Sequence, residues 1–118
     1  MMREFFRAKI HRARVTDANL NYSGSITIDL TLLDESGILP YEKVQVLNLN
    51  TGDRAWTYVI PGERNKGEII MNGAIARQAQ VGDLVIILSY CLLNEEEITN
   101  FSPKTIILDD QNRIVDVH

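Results

Sequence analysis

A single cysteine, Cys91, and two histidines are the only thiol and imidazole side chains among these 118 residues. One cysteine cannot close an internal disulfide, and no Cys/His spacing matches a zinc site, so the usual staples of very small folds are absent. Cys91 lies in an apolar run and reads as a small core residue, not a nucleophile. Only three prolines are present, with no proline-rich or low-complexity linker at which to divide the chain. No uninterrupted apolar run approaches the ~20 residues that cross a bilayer, and Met1 to Arg14 is too charged for a secretory leader. The expectation is one cytoplasmic domain with no membrane partner. Acidic residues outnumber basic ones by 16 to 12, a net charge of −4, which argues against nucleic acid as a partner. Also missing are a paired-carboxylate motif, a His–Cys constellation and a glycine-rich phosphate loop.

What is present reads as a series of short strands in a chain long enough to bury a core. Phe6, Ala8 and Ile10 alternate with Arg7, Lys9 and His11 within residues 4–16. The alternation slips by one at Arg12 before Ala13 and Val15 resume it, the mark of a β-bulge. After a polar break at Tyr22-Ser23-Gly24-Ser25, a second strand spans Ser25 to Leu30, and Thr31 to Gly37 makes a short helix closed by Gly37. Val44 to Leu49, the turn Asn50-Thr51-Gly52-Asp53 and Arg54 to Ile60 form a hairpin. Its second arm sets Arg54, Trp56, Tyr58 and Ile60 on one face and ends at Pro61-Gly62. Glu68 to Met71 leads through Asn72-Gly73-Ala74 into a helical stretch ending at Gln80. Val81-Gly82-Asp83 then turns into the most apolar strand, Leu84 to Leu93. Asn94 caps a helical turn over Glu95 to Glu97, and strands Thr105 to Leu108 and Arg113 to Val117 flank the last turn. Short strands, frequent turns and scraps of helix predict a mainly β, nearly closed barrel occupying residues 1–118.

The break at residues 22–25 carries a chemical possibility besides a turn. A serine hydroxyl follows a glycine carbonyl directly, so Ser25 can attack the carbonyl carbon of Gly24 and shift the acyl group from nitrogen to oxygen. Glycine assists because no side chain shields its carbonyl and its backbone reaches strained conformations.

Five segments, Lys9-Ile10-His11-Arg12, Tyr22-Ser23-Gly24-Ser25, Arg54-Ala55-Trp56-Thr57-Tyr58, Asn72-Gly73-Ala74 and Val81-Gly82-Asp83, together resemble the pyruvoyl-dependent aspartate 1-decarboxylases from Met1 to about Glu97. The resemblance implies a double-psi β-barrel assembled as a homotetramer with sites between neighbouring subunits. It implies cleavage between Gly24 and Ser25 into a β-chain, 1–24, and an α-chain, 25–118, whose first residue is a covalent pyruvoyl group derived from Ser25. Neither a metal nor pyridoxal phosphate takes part, and a maturation helper is left open. Thr57 is then the donor that polarises the Gly24 carbonyl. The pyruvoyl ketone condenses with L-aspartate as a Schiff base, and Lys9 and Arg54 hold the substrate carboxylates. Thr57, Asn72 and main-chain groups of Gly73, Ala74 and Ile75 complete the pocket. Tyr58 returns a proton to Cα, giving β-alanine for pantothenate synthesis.

The chain departs from the family pattern at Ile75, where a second alanine is common, and at Leu47, where a tryptophan is common; the first departure is expected to narrow the pocket. Thr57 and Tyr58 are consecutive and face opposite sides of a regular strand, so either the strand is distorted there or the two act on different steps or from different subunits. Two other readings stay open at this point. One is a Ser25 hydrolase using His11 with Asp17 or Asp29; the other is a non-catalytic barrel serving as a binding module.

Overall fold

Ala8, Ile10, Ala13 and Val15 are all buried, although their spacing changes from two residues to three at Arg12. The chain absorbs the extra residue by a register shift between Ile10 and Ala13 and by a left-handed backbone at Arg12, φ 66°. The bulge inferred from the sequence is therefore real. A second shift lies between Phe6 and Ala8. It turns Phe6 out of the core, where alternation alone had set it, and brings its ring centroid 5.7 Å from Lys9 Nζ.

The computed structural model describes residues 1–118. Its strands are β1 (Arg3–Arg14), β2 (Asp17–Asn19), β3 (Ser25–Asp29), β4 (Lys43–Asn48), β5 (Arg54–Gly62), β6 (Ile69–Asn72), β7 (Leu84–Leu93), β8 (Lys104–Leu108) and β9 (Ile114–Val117). Helices α1 (Leu30–Ser36) and α2 (Glu95–Ile98) are short, and a 3₁₀ helix, Gly73–Gln78, follows β6. No helix is long and apolar enough to cross a membrane.

The strands pair in the order β2-β6-β3-β5-β4-β7-β1-β8-β9. Only Val15 and Thr16 separate β1 from β2, and both are hydrogen-bonded across: Val15 N–H to the Asp83 carbonyl, Thr16 N–H to the Ile69 carbonyl. Since β1 and β2 stand at opposite ends of a seven-strand ribbon yet form almost one segment, the ribbon closes on itself as a barrel. Ile10, Ile26, Ile28, Val44, Val59, Ile69, Met71 and Ile87 fill its interior. β8 and β9 extend the wall beyond β1.

Three local details differ from the sequence expectation, each for a stated reason. Leu30 opens α1 and does not end β3, because the Asp29 carboxylate accepts from Thr31 N–H and caps the helix there. β5 runs through Pro61 and Gly62, because its antiparallel partner β4 reaches only to Tyr58, while β3 pairs with residues 59–62 in parallel. Proline is tolerated on the side that has no neighbour. β2, unforeseen, is three residues long and exists through its pairing with β6. Elsewhere Gly37 ends α1 in the left-handed region, φ 80°, and Asn94 and Glu97 form a reciprocal capping box on α2.

The loops before β5 and before β7 interlock. Asn48 Nδ2 donates to Asp83 Oδ2 at 2.9 Å, and Asn50 Oδ1 accepts from Leu84 N–H at 2.9 Å. Gly52 and Gly82 occupy equivalent left-handed positions, φ 80° and 96°.

Candidate active site

Ser25 is completely buried, although it stands at the first position of β3 beside a polar loop. Its φ of 137° and the 22° of Gly24 place both residues of the junction at positive φ. Such a conformation at a non-glycine residue costs roughly 1–3 kcal/mol and persists only where the surroundings enforce it. Gly73 supplies part of that enforcement. It has φ 67°, and a Cβ built on it would lie 2.4 Å from Gly24 N, 2.7 Å from Gly24 Cα and 2.8 Å from the Tyr22 carbonyl oxygen. The 22–24 loop thus rests directly on the bare Cα of Gly73.

Ser25 pairs across the antiparallel β3–β6 ladder with Asn72, itself only 3% exposed. Asn72 Nδ2 donates to Ser25 Oγ at 3.1 Å and to Thr27 Oγ1 at 3.0 Å. One side-chain amide therefore grips both hydroxyls on that face of β3. Thr27 was not singled out from the sequence; its signal is the two-residue spacing from Ser25, which gives a strand neighbour the same face.

Thr57 approaches from the other side. β3 and β5 are parallel with Ile26 opposite Val59. Thr57 lies two residues before Val59 on β5, as Gly24 lies two before Ile26, at the end of β5 from which the 22–24 loop enters β3. Thr57 is half-buried and its neighbours Trp56 and Tyr58 are exposed, so Thr57 and Tyr58 do face opposite sides of β5. Arg54, Trp56 and Tyr58 share the outer face as expected; Ile60, grouped with them, is half-buried.

Lys9 stands elsewhere. The ladder runs Trp56–Gln45–Leu88–Lys9 over β5, β4, β7 and β1, three strand spacings or roughly 14 Å along the wall. Within one chain, Lys9 is not gathered with Arg54 and Tyr58. Neither Lys9 nor Arg54 has an acidic partner. The wall near them carries exposed Phe6, Trp56, Tyr58 and Leu92.

Gly73 is buried and Ala74 exposed, while the Ile75 side chain packs in the core at 6% exposure. His11 is half-buried, and its Nδ1 lacks any partner. Burial, then the Lys9 and Arg12 charges, hold its pKa below the ordinary 6.5. It does not bond Ser25. Asp29 accepts from Thr31, Asn65 and Gly67 N–H groups, and Asp17 from Ala18 N–H. With Ser25 bonded to Asn72 and neither carboxylate on His11, the Ser-His-Asp arrangement is not formed. An open groove of about 710 Å³ lies between residues 65–67 and 110–114; of the candidate site residues named from the sequence only Asp29, from the hydrolase reading, lines it.

Comparison with known proteins covers nearly the whole chain. The family model described as aspartate decarboxylase matches residues 1–115. An aspartate 1-decarboxylase of Caldicellulosiruptor saccharolyticus is 58% identical over 115 residues, 98% of this chain and 90% of that protein. One of Thermoanaerobacter pseudethanolicus is 56% identical over 99% of this chain and 100% of its own length. One of Staphylococcus epidermidis is 52% identical over 99% of this chain and 91% of its own.

Proposed function

Because the chain belongs to the aspartate decarboxylase family, we propose that it converts L-aspartate to β-alanine and carbon dioxide with a pyruvoyl group made from its own Ser25. The observation that carries the reading is the buried, positive-φ Gly24–Ser25 junction, seated on Gly73 and held by Asn72.

The first task of the chain is to cut itself. Ser25 Oγ attacks the carbonyl carbon of Gly24, and the C–N bond breaks to leave an ester with a free amine. Loss of the Ser25 α-proton then expels the Gly24 carboxylate, giving a 1–24 chain and a dehydroalanine at residue 25. Tautomerisation and hydrolysis of that residue release ammonia and leave a ketone. Thr57, on the strand that pairs with β3, is the donor for the oxyanion of the first step. Removing such a donor typically costs roughly 3–4 kcal/mol of barrier.

A ketone at position 25 fits its surroundings: it needs a hydrogen-bond donor, which Asn72 offers, and close backbone approach, which Gly73 permits. When present it supplies the electron sink that decarboxylation of an amino acid requires. The remaining duties fall to side chains. Arg54 grips one substrate carboxylate through two parallel hydrogen bonds, and Lys9 supplies a second cation. Asn72 and the main chain of Gly73, Ala74 and Ile75 line the pocket, with Thr57 on its other side. Tyr58 delivers the proton to Cα through its phenol O–H.

Lys9 lies about three strand spacings from Trp56 in its own chain. The reading therefore takes Lys9 from a neighbouring copy in a homotetramer, with the exposed Trp56–Phe6 wall inside that assembly. The enzyme acts in the cytoplasm, and its β-alanine feeds pantothenate synthesis.

Intact-mass measurement of purified protein, fresh and after incubation, tests this. The expected result is two fragments, 1–24 and 25–118, the larger beginning with pyruvoyl in place of serine and releasing carbon dioxide from aspartate. An assembled, aged sample that stays whole and inactive overturns it.

A further inference from the structure

The carboxamide of Asn72 has two N–H bonds, and the fold occupies both: one meets Ser25 Oγ at 3.1 Å, the other Thr27 Oγ1 at 3.0 Å. We propose that Thr27 is a positioning residue, holding the Asn72 amide so that one N–H stays aimed at residue 25 before and after the chain is cut. The inference rests on the reading that the Gly24–Ser25 bond is cut.

Three features of the fold make Thr27 suited to this. It shares one face of β3 with the buried Ser25, while Ile26 and Ile28, on the other face, are buried in the core. It lies diagonally from Asn72 on the β3–β6 ladder, opposite Ile70 while Ser25 faces Asn72, a spacing within reach of polar side chains. Its methyl meets β5 at the one place that lacks a side chain: a Cβ added to Gly62 would lie 3.1 Å from Thr27 Cγ2. A β-branched residue has few χ1 choices, and with the methyl packed on Gly62 the hydroxyl is left facing Asn72.

The consequence is chemical. A serine hydroxyl, like that of Thr27, can either accept from the amide N–H or donate to the amide oxygen, so neither hydroxyl alone fixes the Asn72 carboxamide; the paired contacts of Nδ2 with both oxygens hold it in place. A ketone or an enolate-like oxygen has no proton to give and requires the N–H. Thr27 accepts the second N–H, so the orientation needed after cutting is already satisfied in the uncut chain. Removing that acceptor leaves a buried donor unpaired, which favours turning the amide away from residue 25.

The test compares Thr27→Val, Thr27→Ser and Thr27→Ala with the wild-type chain. The readouts are the rate of precursor cutting by intact mass, kcat and KM for aspartate on the cut enzyme, and thermal unfolding. Thr27→Val keeps the packing on Gly62 and loses only the hydroxyl. It is expected to cut about tenfold more slowly and to lose kcat by a similar factor, the effect of one missing hydrogen bond, with KM within about twofold. Thr27→Ser restores both rates to a large degree, although it lacks the methyl. Wild-type rates in Thr27→Val, or equal losses in the serine and valine variants, overturn the proposal. If Thr27→Val unfolds, the size-matched serine and alanine variants decide: a serine advantage supports the proposal, and equality overturns it. A wild-type chain that never cuts is a separate outcome, recognised without any variant, and removes the proposed function along with this inference.

Discussion

Gly73 and Gly24, forty-nine positions apart in the chain, touch backbone to backbone: a Cβ on Gly73 would come 2.4 Å from Gly24 N. Nothing lies within 4 Å of a Cβ on Gly24 itself. The contact therefore makes the two glycines different in kind, one needed for room and the other for backbone conformation alone.

Gly73→Ala must displace the 22–24 loop and also holds alanine at φ 67°. A loss of roughly 1–3 kcal/mol in stability is expected, with cutting slowed by about tenfold or more as the junction leaves its seat. Urea unfolding of the uncut form and a mass time course measure the two effects. Stability and cutting both at wild-type levels would show that the loop does not depend on this contact.

Ser25→Gly and Ser25→Ala both remove the hydroxyl, and neither is expected to be cut or to release carbon dioxide. They differ in backbone demand, because position 25 has φ 137°. Glycine accepts that value and alanine does not, so the glycine variant should be the more stable by about 1 kcal/mol. The difference in unfolding midpoint measures the strain held at the junction. An alanine variant of equal or greater stability would mean the junction is relaxed.

Lys9→Ala and Tyr58→Phe test the assembly. Each alone should lose most activity: the first by raising the aspartate concentration required, the second by about a hundredfold or more in kcat with cutting intact. Mixed after co-expression, the two should regain activity, because a site drawing Lys9 from one copy and Tyr58 from another is wild-type in a fraction of pairings. Activity of the mixture no greater than the sum of the separate variants would assign both residues to one copy.

Asp29 gives the fold a dependence on acid. Burial pushes its carboxyl upward, but N–H donors from Gly67, Thr31 and Asn65 outweigh that and hold it below the ordinary 3.8. A folded-state value below the unfolded one means the contribution is complete above 3.8 and lost as pH falls below it through the depressed value. Asp29→Asn should lower neutral stability by about 1–3 kcal/mol, since an amide cannot receive all three donors. It should also flatten the decline in urea midpoint between about pH 5 and pH 2. Part of the decline should remain, because backbone Gln80 and Asn48 lower Asp83, and donors from Leu39, Ser89 and Arg7 overcome burial to lower Glu42. An unchanged acid profile in Asp29→Asn would dismiss its role.

Most strands were legible because one face of each is buried, which imposes period two; even the slip at Arg12 could be read from Ala13 and Val15. The slip at Phe6 could not, since an exposed phenylalanine has the composition of a core one. β2 and the Pro61–Gly62 end of β5 exist through neighbours far along the chain, and no window of local sequence contains them. At the site, Ser25, Gly24, Asn72 and Gly73 were found together and do meet. Thr57 and Tyr58 were rightly assigned to opposite faces. Lys9 is separated from Arg54 by the width of a wall, a distance that strand patterns do not encode. Thr27 was overlooked because a threonine in a strand ordinarily needs no reason beyond β-propensity.

The segment preceding Gly24 is the longest strand of the molecule, flanked by β7 and β8 and, through Thr16 and β2, by β6. On the proposed cleavage, severing the chain there detaches a stave that the barrel would still clasp on both edges, so folding would have to come before cutting. Once denatured, the cut protein would need two separate molecules to find each other again, and recovery would depend on protein concentration. An enzyme cut in this way would be made ready once.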